Sequence, residues 1–448
     1  MVALALALAS CRGAEPTRLL LLISVDTLRA DHLGVYGSEL GLSPELDALA
    51  AESLVFDAAY APSALTLPSL AGLLTGRHPA LQGIRSNESV LSPAAVTLAQ
   101  ELRAAGWRSA AVVSNYVLRR SSGLAAGFDS YDDELLQAEA TRGWPERRAP
   151  ETTAAALAAL EGCSAEPERP CFLWVHYQDP HGPYTPPAPL RERALPAARA
   201  HRDGRRQLPL RADQRGQGGI PAYQALGGER EVAFYRAGYA GEVAFVDAEV
   251  GRLLRELRAR LPWSACAVVF AADHGESLGE DDLWFAHGAA LSEPLVRVPL
   301  WLRLPGTPPG RRGDVVGWPD VAATLAGLYL GPESALAARG RALLAPGAER
   351  GNSRVWLATL GGSREPRLGL VERDYKLVWS EEGGVARTRL SARGSDRALP
   401  RAAEPERAAA LAAELEAFRR ELERAPAEQR QRLSEEDRER LRSLGYAR

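Results

Sequence analysis

Two apolar runs in this chain end in residue types that bind hard cations. Ala267-Val268-Val269-Phe270-Ala271-Ala272 leads directly into Asp273-His274-Gly275-Glu276, and Leu19-Leu20-Leu21-Leu22-Ile23-Ser24-Val25 ends in Asp26. Buried parallel strands read as continuous apolar runs, and open α/β sheets bind ligands beyond the carboxyl ends of their strands. Carboxylates and an imidazole meeting there suit a divalent cation, which polarises an ester oxygen and favours deprotonation of a bound hydroxyl. Thr66 offers such a hydroxyl. It opens Thr66-Leu67-Pro68-Ser69-Leu70, which reads as the first turn of a helix stopped by Gly76, where the helix dipole favours an anion. A third apolar run, Phe172 to Tyr177, contains His176 and delivers Asp179 and His181 to its end.

Positioning these groups takes alternating strands and helices. Strands are expected near 18–26, 109–115, 172–177 and 267–273, with a further strand and turn over 298–306. Helices are expected from Pro44, over 66–76, 94–105, 151–161, 229–260 and 318–328. That alternation argues for a parallel sheet covered by helices. Residues 188–228 carry charge and glycine without a clear period and read as an exposed insertion over the substrate entrance. Near residue 350 the pattern changes to short strands around 369–372 and 375–380, which suggests a small antiparallel subdomain. In the tail, Leu411, Leu415, Phe418 and Leu422 recur at helical spacing among charges of both signs, as on a half-buried helix. The expected organisation is therefore a leader and linker over 1–17, a catalytic domain over 18–349, the subdomain over 350–400 and a charged helical tail over 401–448.

The 448 residues carry a formal charge of −3, and no basic cluster is interleaved with aromatics, so a nucleic-acid partner is not expected. Lys376 is the only lysine among 54 basic residues, a skew that fits genomic coding bias better than anion recognition. Leu8-Ala9-Ser10-Cys11 follows a short apolar run and looks like a lipoprotein processing site, with Cys11 as the lipid-bearing residue and a bacterial cell-envelope or secreted location. Export would place Cys163 and Cys171 in an oxidising compartment, where their spacing in a polar loop suits a local disulfide. Cys266, inside an apolar run, reads as a buried hydrophobe.

Residues 24–37 and 66–77, with Asp273-His274-Gly275-Glu276, Phe285-Ala286-His287-Gly288 and the late Arg373-Asp374-Tyr375-Lys376-Leu377, resemble the sulfatase family of the alkaline-phosphatase superfamily in order and spacing, from Arg18 to about Trp379. The resemblance implies an α/β sandwich with a mixed, mostly parallel central sheet and a small C-terminal subdomain. It also implies one divalent cation held by Asp26, Asp273 and His274, with Thr66 both touching the cation and occupying the nucleophile position. His181 matches a substrate or leaving-group histidine, and His287 lies in the segment that closes over the ester oxygen. Arg77 matches the basic end of the signature helix, in either an anion-contacting or a structural role. Asn115 ends a strand at the catalytic edge, as a substrate contact or as structure. Asp31 and His32 either surround the cation site or shape the loop, His176 braces its own loop, and Glu276 either orients His274 or caps the following turn. Manganese, zinc, magnesium and calcium are candidate ions, with the imidazole favouring the first two over a calcium-type oxygen cage.

The chain departs from the family pattern where the reaction starts. The family signature opens with a Cys or Ser that is converted to formylglycine and has an arginine four residues on; here those positions hold Thr66 and Leu70. Thr27 replaces the second carboxylate that commonly follows Asp26. A formylglycine hydrate can eliminate sulfate from a geminal diol, whereas a threonine ester must be attacked directly, so phosphate esters suit Thr66 better. The expectation is hydrolysis of a sulfate or phosphate ester on a small molecule, glycan or lipid headgroup, with phosphoester chemistry favoured. Phosphoglycerol or phosphoethanolamine transfer is one alternative, and a catalytically silent glycan-binding envelope protein is another.

Overall fold

The computed structural model describes residues 16–138, 145–164, 166, 168–348, 353–360, 366–382, 384–400 and 403–431. Eight strands form the central sheet: β1 (Leu19–Val25), β2 (Leu54–Tyr60), β3 (Arg108–Val113), β4 (Ser130–Asp132), β5 (Cys171–Tyr177), β6 (Cys266–Ala272), β7 (Leu300–Arg303) and β8 (Gly310–Gly317). Their order across the sheet is β8-β2-β7-β6-β1-β5-β3-β4. Every neighbouring pair is parallel except those made by β7, which runs antiparallel to both β2 and β6. Every residue of β1, β5 and β6 is buried, which is why these three strands read as unbroken apolar runs rather than alternating ones.

Two groups of helices cover this sheet. In one, α1 (Pro44–Ala51), α4 (Ala149–Ser164) and α5 (Ala188–Ala200) all pack on the long α6 (Val232–Arg260). In the other, α2 (Thr66–Thr75), α3 (Leu98–Ala104) and α7 (Trp318–Tyr329) pack on one another. The chain is therefore an α/β sandwich on a mixed, mostly parallel sheet. Helix α3 starts at Leu98 rather than near residue 94. Thr97 Oγ1 accepts from Gln100 N at 3.2 Å while Gln100 Oε1 accepts from Thr97 N at 2.8 Å, a reciprocal cap that sets the first turn. Helix α5 lies inside the stretch expected to be irregular. Its buried side is made of small residues, Ala194 with Ala198 beside Leu190 and Leu195, packed on Ala237, Ala240 and Ala244 of α6, and alanine gives a weak period to read.

A separate antiparallel sheet follows, with strands β9 (Val355–Thr359), β10 (Arg367–Val371), β11 (Tyr375–Glu382) and β12 (Val385–Ala392) in that order. Helix α8 (Pro405–Arg424) buries Leu411, Leu415, Phe418 and Leu422 against it. Beyond α8 the chain returns to the main domain: Val90 N donates to Gln429 O at 2.8 Å and Gln431 N to Glu88 O at 2.9 Å. The leader with Cys11, and the tail after Gln431, lie outside the described residues.

Lys376 ties the two sheets together. Its buried ammonium meets Glu293 Oε1 and Asp396 Oδ1, each at 2.7 Å, and the Leu291 carbonyl at 3.2 Å. Glu293 in turn accepts the Tyr60 hydroxyl at the end of β2 at 2.9 Å. Removing one member of such a set strands the others as uncompensated buried charge. Lys376→Met is expected to lower the unfolding free energy by about 3 kcal/mol without changing the urea m-value. A loss below about 1 kcal/mol would place the cluster with ordinary surface ion pairs.

Candidate metal centre and catalytic pocket

Strand register brings the cation-binding groups together. Val25 pairs with Ala272 across β1 and β6, so the next residue on each strand, Asp26 and Asp273, leaves the same edge of the sheet. Asp26 N donates to Tyr177 O at 2.9 Å and Asp273 N to Val25 O at 3.2 Å, which extends the strand pairing up to the two carboxylates. One ligand atom each from Asp26, Asp273 and His274 lies within 4.8 Å of the others. His274 Nε2 is 3.8 Å from Asp26 Oδ1 and 3.6 Å from Asp273 Oδ2. Those separations suit donors around one divalent cation with bonds of about 2.0–2.2 Å.

The residues fit such an ion chemically as well as geometrically. All three are fully buried, and Asp26 Oδ1 and Asp273 Oδ2 receive no hydrogen bond, which is costly unless something cationic completes them. Burial, reinforced by the charge of Asp26, pushes Asp273 up to about 6. Burial also raises Asp26. Burial opposes the protonated form of His274, yet the charges of Asp273 and Asp26 outweigh it and raise this imidazole. The site therefore competes for protons when it holds no other cation.

The remaining polar atoms of the three residues are fixed by their surroundings. Asp273 Oδ1 accepts the amides of His274 at 2.7 Å and Thr27 at 3.1 Å. His274 Nδ1 lies 2.9 Å from the Gly275 carbonyl, so Nδ1 carries the proton and Nε2 turns its lone pair to the site, a common arrangement for metal-binding histidines. Asn115 Nδ2 donates to Asp26 Oδ2 at 2.5 Å while its Oδ1 accepts from Val117 N at 3.0 Å. Both ends of the Asn115 amide are thus engaged in bracing Asp26. His176 Nε2 stands 3.7 Å from the same Asp26 oxygen, and burial drives its pKa down to about 4, so the ring is neutral. Its Nδ1 contacts Ser24 Oγ at 2.9 Å, and Ser24 also accepts the Trp174 indole at 2.8 Å. Donation of the Ser24 hydroxyl proton to Nδ1 leaves a proton on Nε2 facing Asp26.

Thr27, where the family pattern has a second carboxylate, adopts φ 54, a costly conformation for a β-branched residue. The bend aims its amide at Asp273 and its carbonyl at the Tyr239 hydroxyl, 2.7 Å away. Thr27 Oγ1 is buried and unpartnered.

Thr66 is the first residue of α2, fully buried, with Oγ1 3.4 Å from His274 Nε2. Ser69, one turn along, donates to the Asp273 carbonyl at 2.5 Å and accepts the Trp318 indole at 2.8 Å, which pins the helix start to the end of β6. The expected anion site at this N-terminus needs a correction. Leu67 N is taken by Asn87 Oδ1 at 2.9 Å, and Pro68 has no amide hydrogen, so the first turn offers few free donors. Asn87, which the sequence reading missed, is 1 % exposed and keeps Nδ2 unpartnered beside the start of α2; the only local signal is an asparagine in a Ser/Asn/Glu turn.

Three histidines line one side of the pocket. The His287 ring centroid lies 4.6 Å from that of His274 and 5.2 Å from that of His181. His287 Nδ1 is 3.2 Å from Glu276 Oε1, and Tyr184 donates to Glu276 Oε2 at 2.9 Å. Glu276 thus holds His287, not His274. Burial pushes this carboxyl up to about 7. His181 Nδ1 faces the Gly182 carbonyl at 2.8 Å. His181 and His287 are each 7 % exposed against zero for Thr66 and the three cation-binding residues, so solvent comes nearest on the histidine side.

Other candidates lie elsewhere. Arg77 follows the left-handed cap Gly76 and is exposed, at the far end of a helix about 15 Å long, which excludes anion contact at Thr66. Asp31 pairs with Arg29 Nη2 at 2.7 Å and with His32 Nδ1 at 3.0 Å. They act on the loop through Arg29, whose Nη1 donates to Glu276 O at 3.0 Å, and not on the cation position. Cys163 and Cys171 are joined by a disulfide, with Cα atoms 5.6 Å apart, at the start of β5 and so about 20 Å from the site along that strand. Cys266 is free and buried, and burial raises its thiol to about 11.

Comparison with known proteins bears on this site. A family model described as Sulfatase matches residues 18–331. Human iduronate 2-sulfatase is 28% identical over 341 residues, a span covering 64% of this chain and 59% of that protein. An arylsulfatase of Clostridium perfringens is 24% identical over 349 residues, 66% of this chain and 70% of that protein. Among solved structures, the phosphonate monoester hydrolase of Agrobacterium radiobacter superposes with a TM-score of 0.69 at 19% identity, covering 93% of this chain and 100% of that one. A structure determined in complex with the substrate D-glucosamine-2-N,6-O-disulfate gives 0.71 at 18% identity, covering 92% and 99%.

The electrostatics set a pH dependence. Because the folded pKa of Asp273 is raised to about 6 from 3.8, the stability linked to its neutral form is complete below the lower value and is lost as pH rises through the upper one. Chelator-treated protein is therefore expected to lose stability between pH 4 and pH 6–7, while protein saturated with manganese or zinc gains about 4 kcal/mol at a thousandfold excess over Kd. The difference in Tm between the two forms should widen as pH rises. Asp273→Asn should abolish the widening and stabilise the metal-free form at pH 7; parallel thermal scans across this range read both.

Proposed function

The chain belongs to the sulfatase family, and from that premise we propose that it is a cation-dependent ester hydrolase whose nucleophile is Thr66 and which prefers phosphate to sulfate esters. The observation that carries this reading is the Thr66 hydroxyl beside His274 Nε2, at the head of a helix pinned to the same strand end as Asp273. A divalent cation bound by Asp26, Asp273 and His274 would polarise the ester and make a neighbouring hydroxyl more acidic. Thr66 Oγ1 attacks the phosphorus in line and becomes esterified. Asn87 Nδ2, a buried donor without a partner, is suited to an equatorial oxygen of the transferred group. His287, held through its Nδ1 by Glu276, would protonate the departing alcohol. His181, whose Nδ1 faces the Gly182 carbonyl, is the imidazole that would take a proton from the water that releases the threonine ester.

Phosphate is favoured because Thr66 lacks the second hydroxyl of a formylglycine hydrate and the arginine position holds the buried Leu70. Hydrolysis of a threonine phosphate can reuse the in-line geometry of the first step, whereas release of sulfate by elimination cannot occur from a threonine. Substrate classes within reach are sulfated or phosphorylated small molecules, glycans and lipid headgroups. The Cys163–Cys171 disulfide supports an oxidising compartment and hence export, with Cys11 as the lipidation site. Among the described residues no helix is long and apolar enough to cross a membrane.

Thr66→Ala should lower kcat on an aryl phosphate by about 10⁴-fold or more, Thr66→Ser should retain part of it, and a quenched wild-type reaction should show a phosphoryl adduct on the peptide containing Thr66. Aryl phosphate should exceed aryl sulfate in kcat/KM by at least about 100-fold, a difference of about 2.7 kcal/mol. Equal turnover by Thr66→Ala, or a preference for the sulfate, would falsify the corresponding half of this reading.

A further inference from the structure

Asn87 sits in a short loop that the chain ties from both sides. Within the loop, Ser89 Oγ accepts the amides of Arg85 and Ser86, each at 3.0 Å, and Ser86 Oγ accepts that of Glu88 at 3.2 Å. With both lone pairs taken, the Ser89 hydroxyl has only its proton left to give. It gives it to Glu428 Oε1 at 2.6 Å, and Ser86 Oγ donates to the same oxygen at 2.6 Å. Arg430 Nε takes the other oxygen of Glu428 at 3.0 Å. Ser86, Asn87 and Ser89 are buried, so these charge-assisted bonds meet little competition from water.

Glu428 belongs to the segment 426–431, which follows α8 and crosses the outside of the loop. An antiparallel bridge joins Ser89 to Arg430, with the Val90 amide on Gln429 O at 2.8 Å and the Gln431 amide on Glu88 O at 2.9 Å. The segment also runs close over Gly83, whose φ is 77 and where a Cβ would stand 2.9 Å from the Ala427 carbonyl, a position suited to glycine alone.

On its inner side the same loop meets the reaction. Asn87 Oδ1 accepts the amide of Leu67, the residue next to Thr66. A carboxamide is planar, so fixing Oδ1 on that amide and the loop on Glu428 fixes the direction of Nδ2, the buried donor without a partner. A donor aimed in advance costs no reorganisation when charge develops on the transferred group, whereas a misplacement of about 1 Å can cost about 100-fold.

We propose that the segment 426–431 is a strap that presets Asn87: Glu428, through Ser86 and Ser89, holds the Asn87 carboxamide against the start of α2, so that Nδ2 is aimed before substrate arrives. Both oxygens of Glu428 are spent on Ser86, Ser89 and Arg430, so it is a positioning residue and acts only through the loop. The proposal rests on the hydrolase reading for the role of Nδ2, and on the hydrogen bonds alone for the hold on α2.

Glu428→Gln leaves an oxygen for both hydroxyls and should keep kcat on an aryl phosphate within about threefold of wild type, whereas Glu428→Ala should lower it at least about 10-fold with KM and manganese affinity unchanged. Asn87→Ala should cost about 100-fold, the scale of losing one donor to a transferring group. Adding Glu428→Ala to Asn87→Ala should cost less than about twofold more, since residues that act along one path do not add. An undiminished effect of Glu428→Ala in the Asn87→Ala background, or equal damage from Glu428→Gln and Glu428→Ala, would overturn the strap. Without substrate, the Leu67 amide of the manganese-loaded full chain should exchange with deuterium at least about 10-fold faster in Glu428→Ala than in wild type or Glu428→Gln; unchanged exchange would overturn the strap as well. Faster exchange in Glu428→Ala together with no ester turnover in wild type would uphold the hold on α2 and count against the hydrolase reading alone.

Discussion

Everything at this site follows from packing two carboxylates side by side at the end of two adjacent strands. The pairing of β1 with β6 puts Asp26 and Asp273 there, and no side-chain adjustment can separate them while the register holds. Such a pair repels itself in a medium of low dielectric constant. The surroundings answer with donors: the Thr27 and His274 amides on Asp273, and the Asn115 amide on Asp26. Even so, one oxygen of each carboxylate stays bare, and those two oxygens face the space a cation would fill. The strained backbone at Thr27 belongs to the same arrangement, since its bend delivers one of the donors.

The helices that do not touch the cation position serve it through their ends. The start of α2 is attached to the β6 end through Ser69 and its second amide is held by Asn87. Asn87 belongs to a loop clipped by the segment after α8, where Ser86 and Ser89 donate to Glu428 Oε1, each at 2.6 Å. The segment after α8 thus reaches the loop that holds the start of α2 through these side-chain bonds and through two backbone bonds, Val90 N to Gln429 O and Gln431 N to Glu88 O.

What was legible in the sequence depended on how strongly burial constrains composition. Strands β1, β5 and β6 are buried on both faces, so their apolar runs were unambiguous, and the carboxylates one or two residues beyond them, Asp26, Asp179 and Asp273, stood out. Helix α5 was not legible, because alanine packs its inner face and a period made of small residues is faint. Side-chain partnerships across long separations left no local trace either. Glu276 sits two residues from His274, yet it serves His287, because the hairpin over 277–286 folds back and brings that ring to it. Arg77 shows the converse: the family pattern left it open to anion contact or a structural role, but ten helical residues carry it to the far end of α2 from Thr66.

The burial of Lys376 has a practical consequence for handling the protein. It holds the only ε-amine in the chain, and every other basic side chain besides the histidines is a guanidinium, which resists acylation at neutral pH because it stays protonated. Reagents that couple to primary amines, such as activated esters and aldehydes, therefore find no accessible side-chain target in the folded state. Modification at Lys376 would mark molecules in which the two sheets have come apart, making the residue a built-in reporter of that opening.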